Sequence, residues 1–204
     1  GCNNVRTMHD SSHLTIVKEL LKHDVIVLTT GCCAIACGKA GLLLPEAAAV
    51  YCGPGLAEVC ETVGIPPVLH MGSCVDNSRI LMAATEVVKA GGLGKDISDL
   101  PVAGSAPEWM SEKAISIGHY FVVSGVYTVF GVTLPVSGAP VFRDHLFKEF
   151  ENIYGGMWDF EEDPIKHAHK MIAHIDKKRK ALGIDKARER VLMDMADRQK
   201  LEAM

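Results

Sequence analysis

The stretch DVIVLTTGC, residues 24–32, decides how this chain is read. Val25, Ile26, Val27 and Leu28 form a continuous apolar run, the pattern of a parallel strand covered on both faces. Thr30 and Gly31 break the run, and residues 33–40 have helical composition that ends near Gly41. The order is strand, glycine turn, helix, with Cys32 at the hand-over. HMGSCVDNSRI, residues 70–80, repeats it: residues 66–71 read as a strand, Gly72 and Ser73 break it, and Cys74 follows. GCNN at the start carries Cys2 in a related context. If Cys2 also follows a strand, that strand is missing, and the chain is expected to be a fragment of a longer protein.

Outward from these turns the pattern continues. Residues 15–23 carry a helical stripe of Ile16, Val17, Leu20 and Leu21; residues 56–63 and 79–90 are further helices, the latter stopped by Gly91 and Gly92. Residues 94–104 read as a polar loop. Ser105, Ala106, Pro107 and Glu108 read as a capping-box start to a helix that runs to about residue 124. Residues 126–130 are a third strand, 131–140 a loop, and 141–154 a helix. From residue 163 onward the chain is charge-dense and helical, broken at Gly183. Alternation of strand and helix predicts an α/β fold: a Rossmann-like parallel sheet flanked by helices, with a helical C-terminal extension. The expected division is a Rossmann-like domain over residues 1–160, truncated at its N-terminus, and C-terminal helices over 161–204 packed on it.

Apolar residues make up 48% of the 204, enough for a packed core. Net charge is −4, with acids and bases mixed and no basic stripe, which argues against nucleic acid as a partner. The longest apolar stretch, residues 120–142, is cut by Ser124, Gly125, Gly131, Pro135 and Gly138, so no membrane span is expected. No signal peptide opens the chain, and a cytoplasmic protein is expected. The seven cysteines show no CxxC pair, so reduced thiols are the default.

Ligands of open parallel sheets gather at the carboxyl ends of the strands. Cys32 and Cys74 occupy such positions, each near a helix N-terminus that favours thiolate. Thiolates bind soft metals, and isolated ligands far apart in sequence suit an iron–sulfur cluster better than a zinc site. The plainer reading is that each thiol is a small buried residue. Cys33 and Cys37, four apart on a helix, read as core, and Cys52 and Cys60 lack the turn context. GxGxxG is absent around Gly53 and Gly55, so nucleotide binding is not supported.

GCNN, TTGC followed by GKAGLL, GSCVDNSRI and APEWMSEKAISIG together resemble the anaerobic nickel–iron–sulfur carbon monoxide dehydrogenases, over nearly the whole chain. GSCVDNSR is the most specific of these elements. The resemblance implies the C-terminal part of the catalytic subunit and a cluster of the NiFe4S4 type. It implies Cys2 and Cys32 as iron ligands, Cys74 as the nickel ligand, and Lys113 as the base that stabilises charge on the substrate and helps move its protons. Ile117, one helical turn after Lys113, would shape a small gas pocket. The implied reaction is CO + H2O to CO2, two protons and two electrons, reversibly, with electrons leaving to a ferredoxin-like carrier. The family is dimeric, and association with an acetyl-CoA synthase is left open. The remaining cluster ligands, a histidine that assists proton transfer and the cysteines of the [4Fe-4S] relay clusters belong to the missing N-terminal part, so this piece is not expected to be active alone. The alternatives are a hybrid-cluster-type reductase, separable by a glutamate ligand and nickel content, and a non-catalytic domain with buried thiols.

Two further expectations concern other residues. Without the resemblance, Lys113 reads as a solvated residue on an exposed first turn. His167, His169 and His174 read as a solvated helix face, because His167 and His169 diverge by about 200° on a helix. His70 reads as a hydrogen-bonded core histidine, with an outer role behind Cys74 as the alternative, and His9 and His13 as an entry for protons.

Overall fold

The computed structural model describes residues 11–108, 112–132 and 138–186. In chain order the elements are α1 (Ser12–Lys22), β1 (Val27–Thr29), α2 (Gly31–Lys39), α3 (Ala47–Tyr51), α4 (Pro54–Val63), β2 (Val68–His70) and α5 (Asn77–Ala90), followed by β3 (Gly104–Ala106), α6 (Glu112–Val123), β4 (Thr128–Phe130), α7 (Pro140–Tyr154), β5 (Trp158–Phe160) and α8 (Pro164–Ala181). Short 3-10 turns cover Cys74–Asp76 and Ile97–Asp99. The α/β class with parallel strands flanked by helices is as expected. The strands fall into two hydrogen-bonded groups, β1-β2 and β3-β4-β5, every pairing parallel.

α1 joins the two groups because it buries two rows of side chains. Val17 and Leu21 pack with Cys37, Leu42, Leu56, Cys60 and Val68 of the β1-β2 half. Ile16 and Leu20, one position earlier in each turn, pack with Tyr127, just before β4, with Val129 of β4, and with Ala168, Met171 and Ile172 of α8. Pairs at i and i+1 repeated every four residues make an apolar stripe wide enough for both contacts. Asp24, after α1, accepts from the Leu56 N–H at 2.8 Å and so caps α4, whose Pro54 sits where an N–H would go unused.

The reading of residues 105–108 as a helix start is corrected. Ser105 is in β3, paired with Val129, and its hydroxyl meets His167 Nε2 at 2.8 Å. Glu108 caps a different helix: its buried carboxylate accepts from the Ser12 N–H of α1 at 2.7 Å, from 96 residues away. Strand pairing and this long-range cap outweigh the local capping box. β3 and β5 fall in segments without a strand pattern. They form because β4, whose Thr128, Val129 and Phe130 are all buried, needs a partner on each side. Helix α8 ends at Ala181, and Gly183 follows with a positive φ of 67°. The expected helix beyond residue 186 lies outside the described residues. Among the described residues no helix is long and apolar enough to cross a membrane.

Candidate functional site

Two strand-to-helix turns meet at the carboxyl ends of β1 and β2. Thr30 continues β1 in extended conformation and holds the N-cap position of α2, its side chain making no cap bond; Gly31 then takes φ +56°, which only glycine adopts readily, and Cys32 lies exposed on the first turn. After β2, Gly72 takes φ +123° and Ser73 opens the 3-10 turn. The Asp76 carboxylate accepts from the Ser73 N–H at 2.7 Å and from its hydroxyl at 2.9 Å, a closed capping box. Those bonds, the Ser73 N–H first, hold the Asp76 carboxyl below its usual pKa.

The turns are stapled to each other. Met71 N–H donates to Thr29 O at 2.8 Å, and Gly31 N–H donates to Gly72 O at 3.0 Å. Cys74 Sγ then lies against Gly31, where a Cβ would overlap it. The Thr30 hydroxyl donates to Asn77 Oδ1 at 3.1 Å, and Asn77 Nδ2 donates to Cys74 O at 2.7 Å.

A cavity of about 490 Å³ opens beside this junction, lined among others by His13, Cys33, Cys74, Asn77, Lys113 and Ile117. A more open one, about 610 Å³, shares Cys74, Lys113 and Ile117 and adds Val75 and Tyr120. Cys74, Lys113 and Ile117 thus converge from two elements, the turn after β2 and α6. Lys113 is exposed, as its first-turn position suggested, yet it borders the cavity; Ile117 is half-buried one turn on. Cys32 sits on the neighbouring turn and lines neither cavity. Cys2 lies outside the described residues.

The sequence reading passed over Cys33 as core. It is half-buried and borders the cavity, and its only sequence signal is adjacency to Cys32. The Cys37 thiol donates to it and His13 lies beside it, which hold the Cys33 thiol well below its usual pKa; Cys37 is pushed up by the same contact and by burial. His13 is buried, with Nε2 3.8 Å from the Glu108 carboxylate. Thr30 and Asn77 were missed because their pairing, 47 residues apart, leaves no local pattern.

The histidine readings change. His169 is exposed as expected, but His167 and His174 are not a solvated face. His167 is 1% exposed and bound between Ser105 Oγ and Glu161 O, and burial lowers its pKa to about 4. His174 stacks on Tyr127 at 4.3 Å, and burial again lowers it to about 4. The cause is α8 packing on α1 and β4. His70 is hydrogen-bonded, accepting from the Gly72 N–H at 3.0 Å, but it is exposed rather than core.

Among the described residues, no group of three or more His, Cys, Asp or Glu side chains is placed to hold a metal ion. Cys32 and Cys74 offer two soft donors on touching turns, and the glycine cradle at residue 31 leaves the Cys74 sulfur its place. That donor set fits one wall of a thiolate-bound cluster and would need further ligands from elsewhere.

Residues 1–165 match the Prismane/CO dehydrogenase family. The chain is 58% identical, over 91% of its length, to carbon monoxide dehydrogenase 1 of Methanosarcina mazei, and spans 29% of that protein. It is 43% identical over 91% of its length to the carbon monoxide dehydrogenase/acetyl-CoA synthase subunit beta of Moorella thermoacetica, spanning 28% of it. Among solved structures, a nickel-free carbon monoxide dehydrogenase of Thermococcus sp. AM4 superposes with a TM-score of 0.83 at 54% identity, over 90% of this chain and 28% of that one. An acetyl-CoA synthase/carbon monoxide dehydrogenase with NiZn[Fe4S4] and NiNi[Fe4S4] clusters in its alpha subunits superposes with a TM-score of 0.82 at 41% identity, over 90% of this chain and 28% of that one. The chain therefore spans less than a third of the relatives it matches, and it belongs to the Prismane/CO dehydrogenase family.

Proposed function

We propose that this chain is the C-terminal segment of the catalytic subunit of an anaerobic nickel–iron–sulfur carbon monoxide dehydrogenase, interconverting CO + H2O and CO2 + 2 H+ + 2 e−. One observation carries the reading: Cys74, Lys113 and Ile117 border the same two cavities, beside the turn that holds Cys32. Cys74 would offer its thiolate to nickel, and Cys2 and Cys32 theirs to iron. When bound, such a NiFe4S4-type cluster supplies redox chemistry and Lewis acidity.

The protein's own contribution follows from position. Lys113, on the rim of the cavity, places an ammonium where negative charge develops on the substrate and stabilises it. Its side chain would also help move the protons that the reaction yields. Ile117, half-buried one turn after Lys113, would give the cavity an apolar wall beside Cys74 suited to a weakly polar substrate. Residues 1–160 carry these groups, and α8 (Pro164–Ala181), the described part of the C-terminal extension, packs on α1 and β4 behind them. The [4Fe-4S] relay clusters belong to the N-terminal part, from which electrons pass to a ferredoxin-like carrier. The whole subunit is read as a cytoplasmic homodimer, and association with an acetyl-CoA synthase is compatible with it.

Anaerobic nickel and iron analysis of the whole subunit, with and without Cys74→Ala, tests this. The parent is expected to hold both metals and Cys74→Ala to lose nickel. Unchanged nickel in Cys74→Ala would remove Cys74 as ligand and with it the proposed role of the cavity.

A further inference from the structure

We infer that Asn77 is a positioning residue which, with Thr30, fixes the two cysteine-bearing turns against each other and so sets nickel retention. The inference rests on the proposed reading of Cys32 and Cys74 as ligands. Its basis is one side-chain amide that binds both turns at once. Cys74 O can only accept, so Nδ2 faces it, at 2.7 Å. That orientation leaves Oδ1 for the Thr30 hydroxyl, at 3.1 Å.

Thr30 is 5% exposed and immediately precedes Gly31 and Cys32. The bridge therefore ties the backbone of the Cys74 turn to the residue that starts the Cys32 helix. The backbone bonds from Met71 N–H to Thr29 O and from Gly31 N–H to Gly72 O tie the same two turns, and Cys74 Sγ rests on Gly31. Sliding one turn against the other would break the side-chain bridge and these bonds together. Asparagine suits the place because a single planar amide supplies one donor and one acceptor. An aspartate would have no donor for Cys74 O, and an alanine would remove both side-chain bonds of the bridge. Asn77 also borders both cavities, so it acts at the rim of the site. Groups that orient a metal ligand, without binding the metal, change its affinity when removed.

The test uses the whole subunit purified anaerobically, with nickel and iron content, nickel affinity and the unfolding midpoint measured for each variant. Asn77→Ala and Thr30→Val are each expected to weaken nickel binding by about 10-fold. The double variant should be no worse than either alone, since both remove one bridge. Iron content should stay at the parent's level, and Thr30→Ser, which keeps the hydroxyl, should restore nickel. If Asn77→Ala does not fold, Thr30→Val against Thr30→Ser reads the same bridge. Full nickel affinity in Asn77→Ala or Thr30→Val, while Cys74→Ala loses nickel, overturns the inference and leaves the ligand assignment standing. Equal loss of iron and nickel with a lowered midpoint also overturns it, because that is general destabilisation. Full nickel in Cys74→Ala as well means that the ligand assignment has failed, and the inference with it.

Discussion

Cys74 places its sulfur directly against Gly31, in the space that a Cβ would occupy, and Gly31 holds φ at +56°. Two independent penalties therefore fall on any larger residue there. Gly31→Ala should destabilise the chain by about 1–3 kcal/mol from the backbone conformation alone. It should also displace the Cys74 thiol. Urea unfolding reads the first effect. The rate at which Cys74 reacts with an alkylating reagent reads the second, and an unchanged rate would mean that the two turns do not depend on this contact.

His167 gives the fold an acid limit. Its pKa falls from 6.5 in the unfolded chain to about 4 in the fold, chiefly through burial. Between these values the unfolded state binds the extra proton, so stability rises with pH across the window and is lost as pH falls from 6.5 towards 4. For a side chain this buried the loss is about 3 kcal/mol over the window. His174 shifts the same way but is partly exposed and adds less. Unfolding free energies measured at steps from pH 7 to pH 4 should show this slope. His167→Gln should flatten it; an equal slope in that variant would place the effect elsewhere.

Glu108 holds the start of α1 from 96 residues away, through Ser12 N–H and beside His13. Removing a buried charged acceptor strands the donors it served. Glu108→Ala should cost about 2–3 kcal/mol and raise hydrogen exchange first at the α1 amides near Ser12. Exchange that rises evenly across the chain instead would show that the cap is not local to α1.

What the sequence disclosed and what it concealed divide along physical lines. β1, β2 and β4 lie in apolar runs and are legible; β3 is Gly-Ser-Ala and β5 Trp-Asp-Phe, and each exists only through its pairing with β4. α1 was legible as a helix, but nothing local tells that its two apolar rows face different halves of the protein. The placement of Cys32 and Cys74 at strand-to-helix turns was legible from the glycines that precede them. Thr30, Asn77 and Glu108 were not, because each acts on a partner at least 47 residues away. His167 and His174 misread for the same reason: helix α8 carries enough charge to look solvated, while one face packs on α1 and β4.

On the proposed function, Lys113 has two duties that substitution can separate. It sits on the exposed first turn of α6 and borders both cavities with Cys74. Lys113→Ala removes charge and proton carrier together, and kcat for CO oxidation by the whole subunit should fall by about 100-fold. Nickel and iron should be retained, since Lys113 is not a ligand in this reading. Lys113→Arg keeps the positive charge, but a guanidinium does not give up its proton near neutral pH. It should therefore recover only part of the lost rate, and its activity should respond more steeply than the parent's to added small amines that can carry protons. Full activity in Lys113→Arg would restrict Lys113 to electrostatics. Metal loss in Lys113→Ala would make it a structural residue of the rim and leave the proton path to other groups.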